Sequence, residues 1–445
     1  SQMTASDGTI DYTYAYDPKG NLLHVHDAIH NVDTTRSYDN ADRMISETLG
    51  NSLTLNSDYD GLGRLVTLEL PDHSSVAWTY DAAFIRSVDR YDSAGQQQYS
   101  HAYLSYDLSG HAQRMQMIGH SGEMRQEWDE LSRPTLREGP QYKEEIPEGG
   151  YDAVGNLVKA SRRDLLGNVS CVYGYNGRDQ LCEEDTFVSH RYDYDSLDNR
   201  LQKDDQSCVM DALNQLLQQG DAKYGYDERG NRISQVKDDV MTRYAFDALG
   251  RLIEAIREDV RCVYRYDSFN RRLSKTTYSR SEPTSEWRQE DTERYLYQAQ
   301  MDIGMVDAVG TVQQFRALGE GLGAEIAAAV AVEVQGTPYA PIHNFQGHIV
   351  ALADFEDGHV VQAYRYSAFG EETIHPEEGP ISPWRFSSKR TDSETGLVYF
   401  GRRYFDPDTA RWLTPDPTGH QDGPNLYAYV HNSPLTHIDL YGLFS

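Results

Sequence analysis

Polar and apolar residues alternate along most of the chain, in short runs that end in turn-forming residues. In residues 12–16 tyrosine recurs at every second position, which places the aromatic rings on one face of a β-strand. Asp17 and Gly20 follow, and the alternation resumes at Leu22 and Val25. An aspartate carboxylate accepts main-chain N–H bonds in a turn, and glycine adopts a positive φ easily. The pattern therefore predicts a β-hairpin.

This hairpin pattern is repeated: an aromatic residue and Asp, two further residues, Gly or Asn, then Asn or Arg. Clear copies begin at Tyr16, Tyr59, Tyr151, Tyr226, Phe246 and Tyr266, and degenerate copies at Tyr38, Tyr80, Tyr106, Trp128, Tyr175 and Tyr192. A lone hairpin is marginally stable in water, so successive hairpins should pair into one long antiparallel sheet. Sheets twist with a fixed hand, and a long sheet must coil. The expected fold is all-β, a spiral of hairpins that forms a partial hollow shell.

Three stretches depart from the repeat pattern. In residues 203–220 the apolar positions have helical spacing, which predicts a short helix that stops at Gly220. Residues 276–294 are polar and contain proline, which predicts a long loop. In residues 324–334 alanine favours a helix, but the valines and the flanking glycines favour a strand, which we predict throughout.

Composition and charge exclude several classes of function. The formal net charge of −29 argues against nucleic-acid binding and against adsorption to anionic membranes. There is no signal peptide and no apolar run that would insert in a bilayer. The four cysteines lack metal-ligand spacing and predict no disulfide framework. Because the chain opens within a repeat, we expect it to be part of a longer protein.

The repeats over residues 10–275 resemble the YD-repeat, or Rhs-repeat, family. From Tyr364 to the end the sequence is similar to the Rhs-associated core domain of that family, which occurs in Rhs toxins and in the C subunit of Tc toxin complexes. The closest stretches are 385–386, 396–404, 406–407, 411–417 and 425–434. The resemblance implies a β-shell that is plugged by a core domain. The composition changes at Tyr295, so we place the shell over residues 1–294 and the core domain over residues 295–445.

The same resemblance implies an aspartyl autoprotease in the core domain. Matched residue by residue, its two acids are Asp416 and Asp439, its arginine is Arg403, and the cut falls between Leu443 and Phe444. Pro417 and Gly442 match the supporting turns, whereas Leu440 stands where the family usually has proline.

The residue types suit that chemistry. One ionised carboxylate can activate water while a protonated carboxyl polarises the carbonyl or protonates the leaving nitrogen. Two carboxyls that share a site divide these states, because the first negative charge raises the pKa of the other. The alternative is ordinary turn chemistry, since each aspartate also stands in a turn-like context.

Two functions follow as hypotheses. The first is the encapsulating shell of a secreted or injected toxin, which cuts its own chain once and releases a C-terminal toxin cargo that this chain lacks. Its partner would be a B-subunit-like or N-terminal shell half. The second is a cell-surface adhesion or glycan-binding protein without protease activity. We expect no cofactor and no metal site.

Overall fold

In a computed structural model that describes residues 1–377, 379 and 381–443, nearly all regular structure is β. The first half of the chain contributes eighteen strands. They are β1 Gln2–Thr4, β2 Asp11–Tyr16, β3 Leu22–Asp27, β4 Val32–Tyr38, β5 Met44–Thr48, β6 Thr54–Tyr59, β7 Leu65–Glu69, β8 Ser75–Asp81, β9 Phe84–Tyr91, β10 Gln97–Tyr106, β11 Ala112–Gln116, β12 Glu123–Trp128, β13 Pro134–Glu138, β14 Lys143–Glu145, β15 Lys159–Asp164, β16 Gly167–Tyr175, β17 Leu181–Asp185 and β18 Ser189–Tyr194.

The second half continues the same series. Its strands are β19 Arg200–Lys203, β20 Gln206–Met210, β21 Leu216–Gln219, β22 Ala222–Tyr226, β23 Arg232–Lys237, β24 Val240–Phe246, β25 Leu252–Arg257, β26 Val260–Tyr266, β27 Arg272–Ser279, β28 Arg288–Gln298, β29 Met301–Val306, β30 Val312–Leu318, β31 Ala329–Val334, β32 Thr337–His343, β33 Ile349–Asp354, β34 Val360–Tyr366, β35 Glu372–His375, β36 Arg390–Thr391, β37 Val398–Tyr399, β38 Tyr404–Asp406 and β39 Arg411–Trp412. Two short 3₁₀ segments lie at Phe386–Ser388 and Val430–Asn432.

Strands β1 to β35 form one antiparallel sheet of 35 strands, in which each strand pairs with the one before it and the one after it. The sheet is not a closed barrel, because the described register contains no pairing between its first and last strands. Strands β36–β39 form a separate four-stranded sheet. The predicted all-β fold with a long antiparallel sheet of hairpins is confirmed.

The repeat turn is built around its aspartate. In the first copy the Asp17 carboxylate accepts the N–H groups of Lys19 and Asn21, each at 2.9 Å. The N–H of Gly20 donates to the carbonyl of Asp17 at 3.1 Å, and Gly20 has a φ of 97°. The aspartate therefore closes the turn with its side chain and its main chain together.

The repeat tyrosine joins neighbouring hairpins. Its hydroxyl donates to a main-chain carbonyl at the start of the preceding unit, as in Tyr59 to Met44 at 2.9 Å and Tyr266 to Leu252 at 2.7 Å. The same contact recurs at Tyr38, Tyr80, Tyr151, Tyr175, Tyr194 and Tyr366. A phenylalanine would leave this carbonyl without its donor, which explains why the position is tyrosine in most repeats.

The sheet coils back on itself. Hydrogen bonds join residues that are far apart in the chain, such as Lys203 with Glu371, 168 positions apart, and Asn51 with Tyr295, 244 positions apart. In the same way, the indole N–H of Trp78 donates to the Leu318 carbonyl at 2.8 Å, across 240 positions. The largest hydrophobic cluster draws its side chains from both halves of the chain. The hydrophobic core therefore lies between parts of the coiled sheet that are far apart in sequence.

The helix predicted over residues 203–220 is wrong. The segment forms β20 and β21, joined by a repeat turn in which the Asp211 carboxylate accepts the N–H groups of Leu213 and Gln215 at 2.8 and 2.9 Å. Met210 replaces the repeat tyrosine and Asn214, with a φ of 62°, replaces the glycine. The stretch is a degenerate copy of the repeat whose apolar positions coincide with helical spacing.

Two further predictions need correction. The loop expected over residues 276–294 is confined to residues 280–287, because β27 and β28 pair across its two sides. The strand expected from residue 324 begins only at Ala329, since Ala324 and Ala327 adopt positive φ values of 46° and 58° in tight turns. The domain boundary placed at residues 294 and 295 falls inside β28 and stays a prediction.

The segment after β35 contacts the turns of five of the six repeats whose turns lie between residues 176 and 271. In each, the fourth turn residue has a positive φ, and its carbonyl accepts a side-chain hydrogen bond from the C-terminal segment. These turn-carbonyl contacts join Ser433 to Asp179, Asn432 to Asp198 (3.0 Å), Arg411 to Asn214, Tyr427 to Gly230 (2.8 Å) and Tyr399 to Asn270 (2.8 Å).

Buried ion pairs reinforce the same interface. Arg232 lies 2.8 Å from Asp406, and Arg272 lies 2.7 Å from Asp392, with all four side chains buried. Removing one partner of such a pair leaves a buried charge without compensation, which destabilises the fold. Among the described residues, no helix is both long and apolar enough to cross a bilayer.

Candidate active site

Arg403 forms the centre of the candidate site. It directly precedes β38, and its guanidinium carbon lies 4.3 Å from the ring centre of Trp412 in the neighbouring strand β39. Its Nε donates to the carbonyl of Gly442 at 2.6 Å and its Nη1 to that of Leu426 at 3.1 Å. The arginine therefore ties the last turn of the chain to the small sheet.

Two carboxylates meet at this guanidinium. Nη2 of Arg403 lies 2.7 Å from Oδ2 of Asp416 and 3.9 Å from Oδ2 of Asp439. The three residues are buried, with exposed fractions of 4%, 8% and 3%. Both acids thus have an oxygen within 3.9 Å of one nitrogen atom. At that spacing, in a protein interior, the protonation state of one carboxyl depends on the charge of the other.

Asp416 is held by a turn of its own. Its Oδ1 accepts the N–H of Thr418 at 2.8 Å and the hydroxyl of Thr418 at 2.5 Å. Its N–H donates to the carbonyl of Leu426 at 3.0 Å. Pro417 occupies the second position of this turn, where its fixed φ is favourable. Oδ2 is left to face Arg403.

Asp439 organises the end of the described chain. Its Oδ1 accepts three main-chain N–H groups, those of Tyr441 at 3.0 Å, Gly442 at 2.6 Å and Leu443 at 3.1 Å. This is the turn predicted to bring the peptide bond after Leu443 back toward the acid. Phe444, on the far side of that bond, lies outside the described residues.

The two acids differ in their electrostatic environment. Burial raises the pKa of Asp439 above its usual value, although Arg403 and the three N–H groups act in the opposite direction. Burial also lowers the pKa of Arg403, against the attraction of both aspartates. Asp416 makes the short contact with the guanidinium. Asp439 is therefore easier to protonate in the folded chain than a free aspartate.

Gly442 is packed too closely for any side chain. Its φ is 77°, and a Cβ built there would lie 3.1 Å from the main-chain nitrogen of Arg403 and 3.3 Å from the Cβ of Phe400. Both facts require glycine at the turn.

Sequence reasoning missed Lys389 and Glu325. Lys389 contacts the turn that follows Asp439, and Glu325 contacts Lys389. Nζ of Lys389 lies 2.8 Å from Oε1 of Glu325 and also donates to the carbonyl of Leu440. The side chain of Leu440 packs against Gly323, where a Cβ would come within 2.9 Å of it. These contacts anchor the turn at the position where the family usually has proline. No local pattern around Lys389 or Glu325 signals them, because coiling of the sheet brings them together.

The structure thus brings together Arg403, Asp416, Asp439, Gly442 and Leu443. Within the described residues, no group of three or more His, Cys, Asp and Glu side chains is arranged to hold a metal ion.

Comparison with known proteins assigns the repeats. A family profile described as Teneurin YD-shell matches residues 135–285, and one described as RHS Repeat matches residues 16–54. These two stretches of the chain are therefore similar to YD-shell and RHS-repeat sequences. The two matched stretches contain clear and degenerate copies of the Tyr-Asp turn alike.

Curated relatives include a nuclease and a toxin subunit. The chain is 27% identical over 262 residues to the tRNA3(Ser)-specific nuclease WapA of Bacillus spizizenii, a match that covers 56% of this chain and 10% of WapA. It is 38% identical over 91 residues to the toxin subunit YenC2 of Yersinia entomophaga, covering 20% of this chain and 9% of YenC2. The chain therefore matches about a tenth of the length of these relatives.

Solved structures with a related trace include the crystal structure of TcdB2-TccC3-Cdc42, at 17% identity and a TM-score of 0.42, covering 98% of this chain and 22% of the other. The Photorhabdus luminescens Tc holotoxin pore with the mutation TccC3-D651A gives 18% identity and a TM-score of 0.43, covering 99% and 21%.

Proposed function

We propose that this chain is the closing part of an encapsulating toxin shell and that it cuts its own backbone once, after Leu443. The observation that carries the proposal is the meeting of Asp416 and Asp439 on one arginine, at a turn whose last described residue is bonded to Asp439.

The proposed reaction is hydrolysis by two carboxyl groups. Asp416, ionised beside Arg403, takes a proton from a water molecule, whose oxygen attacks the carbonyl carbon of Leu443. Asp439 carries a proton on Oδ2, because Oδ1 is occupied as an acceptor. It polarises the carbonyl and then gives its proton to the leaving nitrogen of Phe444. The C–N bond breaks, and a carboxyl group and an amine are formed.

The substrate is the chain itself, which accounts for much of the expected rate. The three N–H bonds to Asp439 hold Leu443, the residue before the proposed cut, next to the acid before any reaction begins. Such fixed proximity replaces an encounter between separate molecules. A site of this kind acts once, and any segment that follows Leu443 becomes a separate polypeptide.

The toxin assignment rests on the relatives that carry toxin names. A nuclease and a toxin subunit match parts of this chain, and the open edges of the sheet leave room for a second shell-forming chain. We infer a secreted or injected protein whose cargo follows the cleavage point and whose shell is completed by another subunit or another part of the same protein.

The test is intact-mass spectrometry of the chain produced with a folded reporter domain after residue 445. Wild type should yield a fragment that ends at Leu443 and a reporter that begins with Phe444. Asp416→Asn and Asp439→Asn should each leave the product uncut.

Asp307→Asn is the matched control. Asp307 accepts the N–H groups of Val309 and Thr311 at 3.0 and 2.9 Å in an ordinary repeat turn, so this variant should be cut like wild type. Uncut wild-type protein with a native circular dichroism spectrum would refute the protease and leave adhesion as the better hypothesis.

A further inference from the structure

A cavity of about 190 Å³ lies between two layers of the coiled sheet, away from the residues of the candidate active site. Strands β10 to β13 line one side, and β31 and β32 line the other. Much of its wall is apolar, with Met115, Met124 and Ile342 among the lining residues. A dry cavity of about 150 Å³ is large enough to hold benzene. A compact organic ligand therefore fits this space.

One wall of the cavity carries a buried positive charge with no acidic partner. Arg137 is 8% exposed, and its Nη1 donates to the carbonyls of His343 and Asn344 at 2.7 and 2.8 Å. Its Nε has no acceptor. In the described part of the chain no carboxylate lies within ion-pair distance of it. Glu144, whose charge acts on it, is paired with Arg162 at 2.7 Å, and Glu320 at the cavity lining is exposed to solvent.

Some buried arginines of this protein are neutralised, whereas Arg200 and Arg411 resemble Arg137 in having no ion pair among the described residues. Arg232 faces Asp406 and Arg272 faces Asp392, at 2.8 and 2.7 Å. An isolated buried charge is costly unless an opposite charge reaches it. Arg137 is the unpaired buried arginine that lines this cavity, so an anion that enters the cavity would meet its charge.

Two buried histidines line the same cavity with unused nitrogen atoms. Both ring nitrogens of His101 and the Nε2 of His343 have no partner. Burial lowers the pKa of each to about 3, so both rings are neutral at physiological pH. A neutral imidazole offers one N–H donor and one acceptor. The cavity thus presents hydrogen-bond donors beside the guanidinium.

We propose that this cavity binds a small organic carboxylate with a compact apolar body. The carboxylate accepts hydrogen bonds from Arg137 and from the imidazoles of His101 and His343, and the body packs against the methionine and isoleucine side chains. Charge and shape are both needed for binding: the guanidinium requires an anion, and the apolar wall requires a hydrocarbon ring or branched chain.

Soft-metal binding is the competing chemistry, because thioether and imidazole ligands suit Cu(I). Arg137 opposes it, since an added cation would meet an unneutralised guanidinium. A carboxylate would neutralise the guanidinium of Arg137, whereas a metal ion would leave it unpaired.

The experiment is isothermal titration calorimetry of the full chain with benzoate, with benzyl alcohol as a neutral probe of similar shape and with Ag⁺ as a probe for soft metals. Benzoate should bind with one site per chain, and benzyl alcohol should bind about tenfold to a hundredfold more weakly, because it lacks the charge-assisted hydrogen bonds. Equal binding of the two, no benzoate binding at millimolar concentration, or Ag⁺ binding alone would each overturn the proposal.

Two variants separate loss of the site from loss of the fold. Arg137→Met removes the charge at similar volume, and Ala329→Leu fills space from the opposite wall. Both should abolish benzoate binding while the near-ultraviolet circular dichroism stays native. A crystal structure with benzoate should show it against Arg137, and a cavity that holds waters only would reject the site. Neither variant alters a residue of the candidate active site.

Discussion

The hydroxyl of Tyr427 donates a hydrogen bond to the main-chain carbonyl of Gly230, 2.8 Å away and 197 residues earlier in the chain. A Cβ at residue 230 would lie 2.5 Å from this hydroxyl, so the contact also explains why that turn carries glycine. It is one of the five turn-carbonyl contacts through which the C-terminal segment is seated on the repeats. The position of Asp416 and Arg403 depends on this seating, because residues 425–429 join the contacts to the site.

Tyr427→Phe tests the strength of one such contact. The variant should lose about 1 kcal/mol in the free energy of unfolding, because the buried carbonyl of Gly230 is left without its donor. Tyr16→Phe is the matched control, since the Tyr16 side chain is exposed, and it should change stability little. Urea denaturation of both variants measures the difference. Equal stabilities would show that the contact contributes nothing to seating.

Gly442→Ala tests the fit of the last turn. Alanine at a φ of 77° is strained, and its Cβ would press on the main chain of Arg403. We expect loss of about 1–2 kcal/mol from the φ alone, and self-cleavage slowed or abolished because the turn and Arg403 shift apart.

Gly149→Ala separates the two causes. Gly149 has a φ of 73° with nothing within 4 Å of its Cβ position, so it should show the strain without any effect on cleavage. The readouts are thermal unfolding and the fraction of chain cut, followed by mass spectrometry. Normal cleavage in Gly442→Ala would mean that close packing at this turn is dispensable.

Asp439 should make stability depend on pH in a recognisable way. Its pKa is raised in the folded chain above the unfolded value of 3.8, so between these two values the folded state binds more protons. Stability contributed by this group is therefore complete below pH 3.8 and is lost as pH rises through the folded pKa. Asp439→Asn does not titrate, so its stability relative to wild type should increase with pH across that window.

Urea unfolding of both proteins at a series of pH values measures this difference. Asp307→Asn serves as the control, because the carboxyl of Asp307 has its pKa lowered by the N–H of Thr311 and should give the opposite slope. A flat difference between Asp439→Asn and wild type would show that Asp439 is not held in its protonated form. The rate of self-cleavage should fall over the same window, as the acid form is depleted.

Asp392→Asn tests the buried ion pairs under the C-terminal segment. Asp392 accepts from Nη1 of Arg272 at 2.7 and 2.9 Å in a fully buried site, so the variant strands a buried guanidinium. The expected loss is about 3–5 kcal/mol. Asp42→Asn removes the exposed pair with Lys19 and should have little effect. Chemical denaturation that gives equal losses for both variants would contradict the proposed role of burial.

Local pattern was enough to predict the β-fold, because alternation and the aspartate turn are properties of a few neighbouring residues. It failed over residues 203–220, where Met210 and Asn214 replace the signature tyrosine and glycine while the turn chemistry of Asp211 is unchanged. Resemblance placed Arg403, Asp416 and Asp439 in one site. The support from Lys389 and Glu325 was beyond either approach, because these residues meet only through the path of the coiled sheet.

The turn-carbonyl contacts require the number of hairpins to match the spacing of residues in the C-terminal segment. Five donors at fixed places in the last fifty residues match acceptors that recur once per hairpin, so the spacing of donors and the number of hairpins must agree. Duplicating one hairpin between residues 179 and 270 would set the donors one unit out of phase. A duplication before residue 155 would leave these five contacts in phase but would displace contacts such as those of Asn51 with Tyr295 and Trp78 with Leu318. The number of hairpins between residues 179 and 270 is therefore fixed by the spacing of the donors in the C-terminal segment.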